Sequence, residues 1–298
     1  MSFEEFAPFR VKAQDADIFG VKGGSGPPLL LLHGHPQTHM IWHRVAAALA
    51  RHFTVIATDL RGYGASSKPP SDARHLPYSK RVMAADQVAV MRHFGFRRFY
   101  VGAHDRGARV AHRMALDHPD AVERMLLLDI APTLAMYEGT NRAFATAYFH
   151  WFLLIQPAPL PETLIGANPD AYVDQLMGNR SAGLAPFTAE ALDAYRHALR
   201  QPGAVQAICE DYRASATIDL DHDRADLERG NKVACPLRVL WGREGVVGRC
   251  FDPLEEWRRV ARDVSGRALD CGHYMPEEAP GPLIEEMLAF FEARDVAA

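Results

Sequence analysis

The chain has 298 residues, 33 basic against 37 acidic side chains for a net charge of −4, and 48% hydrophobic residues. That balance, with 23% charged residues, belongs to a globular protein with a sizeable core and excludes both disorder and a globally basic nucleic-acid binder. No apolar run approaches the ~20 residues a bilayer span requires, and Cys209, Cys235, Cys250 and Cys271 form no C-x-x-C pair, so neither a zinc site nor a disulfide framework is implied. A cytoplasmic protein with reduced thiols, binding neither membrane nor nucleic acid, is expected.

Short apolar runs alternate with longer amphipathic segments, as when helices cover a mostly parallel sheet. The run 29–32, four leucines after Gly26-Pro27-Pro28, reads as a strand buried on both faces. A helix is predicted over 41–49, a strand over 53–57, a helix over 79–94, a strand over 99–102, a helix over 106–117 and a strand over 125–128. Beyond about residue 132 strand-like runs disappear and helical segments such as 171–177 and 189–199 take over. A strand returns at 237–241, and a last helix covers 283–291 with Pro282 near its start. The chain thus divides into an α/β core over residues 1–131 and 226–298 and an inserted helical cap over 132–225.

The chemistry gathers where the predicted strands end. Phe99-Tyr-Val-Gly-Ala-His-Asp-Arg-Gly-Ala-Arg109 runs from strand into helix through Asp105, with small residues two positions before (Ala103) and two after (Gly107). A nucleophile elbow needs that spacing, because bulky neighbours would clash in so tight a turn; alternatively Asp105 only caps the helix. His33-Gly-His-Pro36 follows the strand of leucines, Asp59-Leu-Arg-Gly-Tyr-Gly64 follows the next strand, and His273 closes Leu269-Asp-Cys-Gly-His273 late in the chain. The order nucleophile, acid, histidine is that of an α/β-hydrolase. For the acid there are two candidates, Asp129 and Glu244; Asp129 ends its strand beside the elbow and needs no loop excursion to reach His273.

An aspartate nucleophile displaces a leaving group at saturated carbon and forms an alkyl-enzyme ester, which water activated by His273 and Asp129 then hydrolyses. Halide and an epoxide oxygen are suitable leaving groups. Arg106 and Arg109 are three apart in the first helical turn and share a face next to Asp105; a guanidinium pair suits bidentate capture of a carboxylate.

Taken together, His33-Gly-His-Pro-Gln37, Asp59-Leu-Arg-Gly-Tyr-Gly64, His104-Asp-Arg-Gly-Ala-Arg109, Leu128-Asp-Ile-Ala-Pro132, His150-Trp151, Asp211-Tyr-Arg213 and Cys271-Gly-His273 resemble the fluoroacetate (haloacetate) dehalogenases of the α/β-hydrolase superfamily, over about residues 9–291. The resemblance implies that Asp105 attacks the α-carbon of a short 2-haloacid while Arg106 and Arg109 hold its carboxylate, and that His150, Trp151 and Tyr212 donate to the departing halide. It places Tyr137 and His35 at the substrate pocket, His35 standing where the family has phenylalanine, and it implies a homodimer, a small haloacid and water as substrates, and no metal or organic cofactor. Two other readings stay open: a soluble epoxide hydrolase using Tyr212 and Tyr148 as acids, and a non-catalytic α/β-hydrolase-fold protein that binds a carboxylate.

Overall fold

The computed structural model describes residues 3–293. Eight strands form one sheet in the order β1-β2-β4-β3-β5-β6-β7-β8: β1 (Ala7–Ala13), β2 (Ala16–Gly23), β3 (Pro28–Leu32), β4 (Thr54–Thr58), β5 (Phe99–His104), β6 (Val122–Leu128), β7 (Leu237–Gly242) and β8 (Val264–Leu269). β1 and β2 pair antiparallel, β2 pairs antiparallel with β4, and every pair from β4 to β8 is parallel. The fold is that of an α/β-hydrolase.

β3 is buried on both faces because helices cover each side of the sheet, Lys80–His93 and Asp105–Asp117 on one and Pro280–Phe291 on the other. Leu29 and Leu31 face one core with Val55 and Ala57, while Leu30 and Leu32 face the other with Ile56, the alternation expected of a pleat. The five runs read from the sequence fall on β3 to β7. β1 and β2 carry no such run: polar Arg10, Lys12 and Asp17 alternate with buried Val11, Ala13 and Ile18, as suits strands near a sheet edge. The helix predicted over 41–49 is broken into a turn of 3-10 helix, His39–Trp42, capped by the Thr38 side chain, and one α turn, Ala46–Leu49.

Between β6 and β7 the chain runs only through helices, from Thr133–Glu138 to Ile218–Arg229, so the last of them crosses residue 225. This insertion leaves the sheet at the C-terminal end of β6, the edge at which such sheets place their ligands, and the chain re-enters the sheet at the N-terminal end of β7. Among the described residues, no helix is long and apolar enough to cross a membrane.

Candidate active site

β5 ends at His104 and the chain turns directly into the helix Asp105–Asp117. Asp105 occupies the turn at φ +47°, in the left-handed region where Asp is among the few tolerated side chains. The approach of the neighbouring loop requires glycine twice. A Cβ on Gly107 would stand 2.4 Å from the His33 carbonyl oxygen, and one on Gly34 2.4 Å from the Asp105 Cβ. Gly107→Ala is expected to destabilise the fold by about 1–3 kcal/mol, the usual range for overpacking, and to lower turnover by displacing Asp105. Urea unfolding and a rate assay check this; a variant as stable and active as the parent refutes it.

Asp105 is 3% exposed, and its Oδ1 accepts the backbone N–H of His35 at 3.0 Å. Burial works to raise its pKa, but the fields of His273, His104, Arg109 and Arg106 prevail and hold the carboxyl far below the usual aspartate range. It is an ionised, water-poor carboxylate, which is the state a nucleophile needs.

On the adjacent strand, Asp129 follows β6 at φ +49° and is fully buried. Its Oδ1 accepts the Gly242 N–H at 3.0 Å, and its Oδ2 lies 2.6 Å from His273 Nδ1. The carboxylate therefore orients the imidazole and directs Nε2 away from itself. The rival acid, Glu244, is exposed on the loop after β7.

Arg106 and Arg109 are both buried, but they are not equivalent. Arg106 is already bound within the protein, in an ion pair that the three-residue spacing of the two arginines does not reveal. Arg106 Nε donates to Asp211 Oδ2 at 2.9 Å, and Nη2 donates to Asp211 Oδ1 at 2.9 Å and to Ser215 Oγ at 2.6 Å. Its Cζ lies over the Tyr212 ring, 4.0 Å from the centroid, and Nη1 has no hydrogen-bond partner among the described residues. Asp211 also accepts from Tyr63 Oη at 2.7 Å and from Lys80 Nζ. Arg109, by contrast, hydrogen-bonds only neutral groups among the described residues, Thr133 Oγ1 at 2.9 Å, the Ala131 carbonyl at 3.3 Å and Met136 Sδ at 3.2 Å, with Trp151 4.6 Å beneath its guanidinium, and the carboxylate whose field reaches it is that of Asp105. Burial and the neighbouring Arg106 push its pKa down. Arg109 is a buried cation that calls for an anion.

The helical insertion supplies the opposite wall. His150 and Trp151 lie on the helix Phe149–Leu154 and Tyr212 on Ala204–Ala216. Tyr212 is 5.8 Å from His150 and 6.4 Å from Trp151 between ring centroids. All three are buried, and His150 Nδ1, Trp151 Nε1 and Tyr212 Oη have no hydrogen-bond partner among the described residues. Buried polar atoms are nearly always paired, so a cluster of orphans marks where a ligand belongs. His35 adds to that wall: its ring is 5.4 Å from Tyr212 and stacks on His150 at 6.0 Å, its Nε2 is 2.9 Å from Tyr172 Oη, and burial pushes its pKa down to about 3, leaving it neutral. Tyr137 packs 4.9 Å from Trp151, and its hydroxyl is also unpartnered.

A second connection joins insertion to core just beyond His273. Glu277 Oε1 accepts from Tyr195 Oη at 2.9 Å and Oε2 from Gln37 Nε2 at 2.6 Å. Burial outweighs these donors and pushes the Glu277 pKa from 4.5 up to about 8. The folded chain then holds a proton that the unfolded chain releases, so this group makes stability fall as pH rises between about 4.5 and 8, by roughly 1 kcal/mol per pH unit at the steepest. Glu277→Gln is expected to flatten that decline in thermal melts between those limits; an unchanged pH profile refutes it.

The structure thus brings Asp105, Asp129, His273, Arg106, Arg109, His150, Trp151, Tyr212, His35 and Tyr137 into one neighbourhood. Sequence reasoning missed the role of Asp211, whose signal is its place directly before Tyr212, and missed Arg180 entirely.

Residues 27–279 match the model of the alpha/beta hydrolase fold family. A fluoroacetate dehalogenase of Burkholderia sp. is 46% identical over 93% of this chain and 91% of its own length. A soluble epoxide hydrolase of Corynebacterium sp. (strain C12) is 34% identical, over 91% of this chain and 92% of its own. The crystal structure of ALR0039 from Nostoc sp. PCC 7120 superposes with a TM-score of 0.94 at 53% identity, covering 98% of this chain and 100% of that one.

Proposed function

The chain belongs to the alpha/beta hydrolase fold family, in the group that includes the fluoroacetate dehalogenases, and from that premise we propose that it is a hydrolytic dehalogenase of short 2-haloacids. The observation that carries this reading is the pairing of opposite needs around Asp105: an unneutralised buried cation, Arg109, on one side and the unpartnered donors of His150, Trp151 and Tyr212 on the other. A substrate carboxylate satisfies the first and a departing halide the second.

In the first step an Asp105 carboxylate oxygen bonds to the α-carbon as the carbon–halogen bond breaks, and the halide leaves with the electron pair. Arg109 supplies net charge to the carboxylate, and Arg106, already neutralised by Asp211, contributes its free Nη1–H as an oriented donor. In the second step His273 takes a proton from water, and the hydroxide adds to the Asp105 carbonyl carbon. The His35 N–H stands ready for the oxygen that becomes negative. Collapse expels the 2-hydroxyacid oxygen, which recovers the proton from His273.

Incubation with fluoroacetate, chloroacetate and bromoacetate is expected to release halide and glycolate in equal amounts from at least one of them; no release from any of the three overturns the reading. The epoxide hydrolase reading draws on the 34% identical relative and on Tyr212 and Tyr148. It gives Arg109 no substrate anion, and turnover of styrene oxide in the absence of haloacetate turnover is the result that favours it. The homodimer belongs to the same proposal, and light scattering of the eluting protein tests it.

A further inference from the structure

Arg180 lies in the insertion just past the helix Pro169–Gly178 and is partly buried. Several other arginines withdrawn from solvent hold a carboxylate: Arg61 holds Asp86, Arg106 holds Asp211, Arg113 holds Asp223 and Asp226, and Arg213 holds Glu162 and Glu210. Among the described residues, Arg180 pairs with no carboxylate, a condition it shares with Arg109. Its guanidinium instead covers the face of Tyr148 at 4.4 Å and hydrogen-bonds the neutral side chain of Tyr274.

The position of Tyr148 decides what that cation faces. Its ring stacks on His150 at 5.5 Å, stands edge-on to His273 at 6.3 Å, and meets Trp151 at 5.7 Å and 86°. Arg109 covers Trp151 as Arg180 covers Tyr148, so the two unpaired cations sit on the two rings of one aromatic corner beside the catalytic histidine. The carboxylates whose fields reach Arg180 are those of Asp129 and Asp105. Asp129 is committed to His273 and Gly242. Asp105 loses its charge when it becomes an ester, and the halide then departs. With a monocarboxylate, one anion remains in the intermediate for two cations; with a dicarboxylate, two remain for two.

We propose that Arg180 binds a second carboxylate carried on the α-substituent, so that the pocket takes four-carbon 2-halodicarboxylates of the 2-halosuccinate type and yields the 2-hydroxydicarboxylate. This rests on the dehalogenase reading. The reaction balances as before: Asp105 oxygen to α-carbon, halide out with its electron pair, then water across the ester.

The test compares 2-chlorosuccinate with 2-chlorobutanoate, an uncharged chain of the same length, in the parent protein, Arg180→Met and Arg180→Lys. The parent is expected to favour chlorosuccinate in kcat/KM by about tenfold or more, as one charge-assisted contact supplies. Arg180→Met is expected to remove that preference, chiefly through KM, and Arg180→Lys to keep part of it. Because the readout is a ratio within each variant, a general loss of folding does not imitate it. Calorimetric binding of 2-hydroxysuccinate against 2-hydroxybutanoate provides the same ratio without turnover. Equal handling of the charged and uncharged chains by the parent, or a preference that survives Arg180→Met, overturns the proposal. Absence of chloroacetate turnover together with preferential 2-hydroxysuccinate binding would instead count against the dehalogenase reading and leave Arg180 supported.

Discussion

His273→Ala mixed with bromoacetate is expected to accumulate a carboxymethyl ester on Asp105, visible in the intact mass and in the peptide carrying residue 105, while steady turnover falls by about 10³-fold or more. The attack requires only an ionised Asp105, and Arg109, Arg106 and the halide donors are untouched by this substitution. Hydrolysis requires a base, whose removal typically costs 10² to 10⁴-fold. Asp129→Asn separates orientation from basicity: the 2.6 Å contact to His273 survives in shape, but the amide stabilises the wrong tautomer, and a loss of about 10⁴-fold is the precedent for that defect. An unmodified Asp105 under saturating bromoacetate sinks the covalent mechanism and supports a protein that only binds carboxylates.

Asp211→Ala is expected to destabilise the fold by about 3–5 kcal/mol, because it leaves two buried cations, Arg106 and Lys80, without their shared anion. Burial favours the neutral acid at Asp211, yet Arg106 and Lys80 hold the carboxyl well below the aspartate range. A depressed pKa of that kind contributes stability that is complete above the unfolded aspartate value and is lost only as pH falls well below it. The parent should therefore lose this contribution in strong acid, and Asp211→Ala should lack it at every pH. Urea unfolding at neutral and acid pH measures both; a loss under about 1 kcal/mol at neutral pH, within the range of an exposed pair, refutes the role. Activity should fall too, since Arg106 then has no fixed orientation.

What could be read beforehand follows from how local each signal is. The strands β3 to β7 are buried between neighbours, and continuous apolar runs such as 29–32 announce that directly. β1 and β2 alternate, with charges such as Arg10 and Lys12 between their buried residues, and nothing in their composition marks them. Asp105 is legible because an elbow is a contiguous motif whose small residues are dictated by sterics within a few positions, as the clashes at Gly107 show. The ion pair of Arg106 was not legible because its partner Asp211 lies 105 positions away. Arg180 could not be singled out for a related reason: its interest lies in having no carboxylate partner among the described residues, which only its spatial neighbours reveal.

Asp105 and Asp129 close adjacent strands and both hold positive φ, a conformation that costs most L residues of the order of 1–2 kcal/mol and that Asp tolerates better than most. Asn shares that tolerance, so Asn at either position keeps the turn while removing the charge, whereas alanine changes both at once; the Asn variants are the ones that separate the loss of a carboxylate from a disturbance of the backbone that presents it.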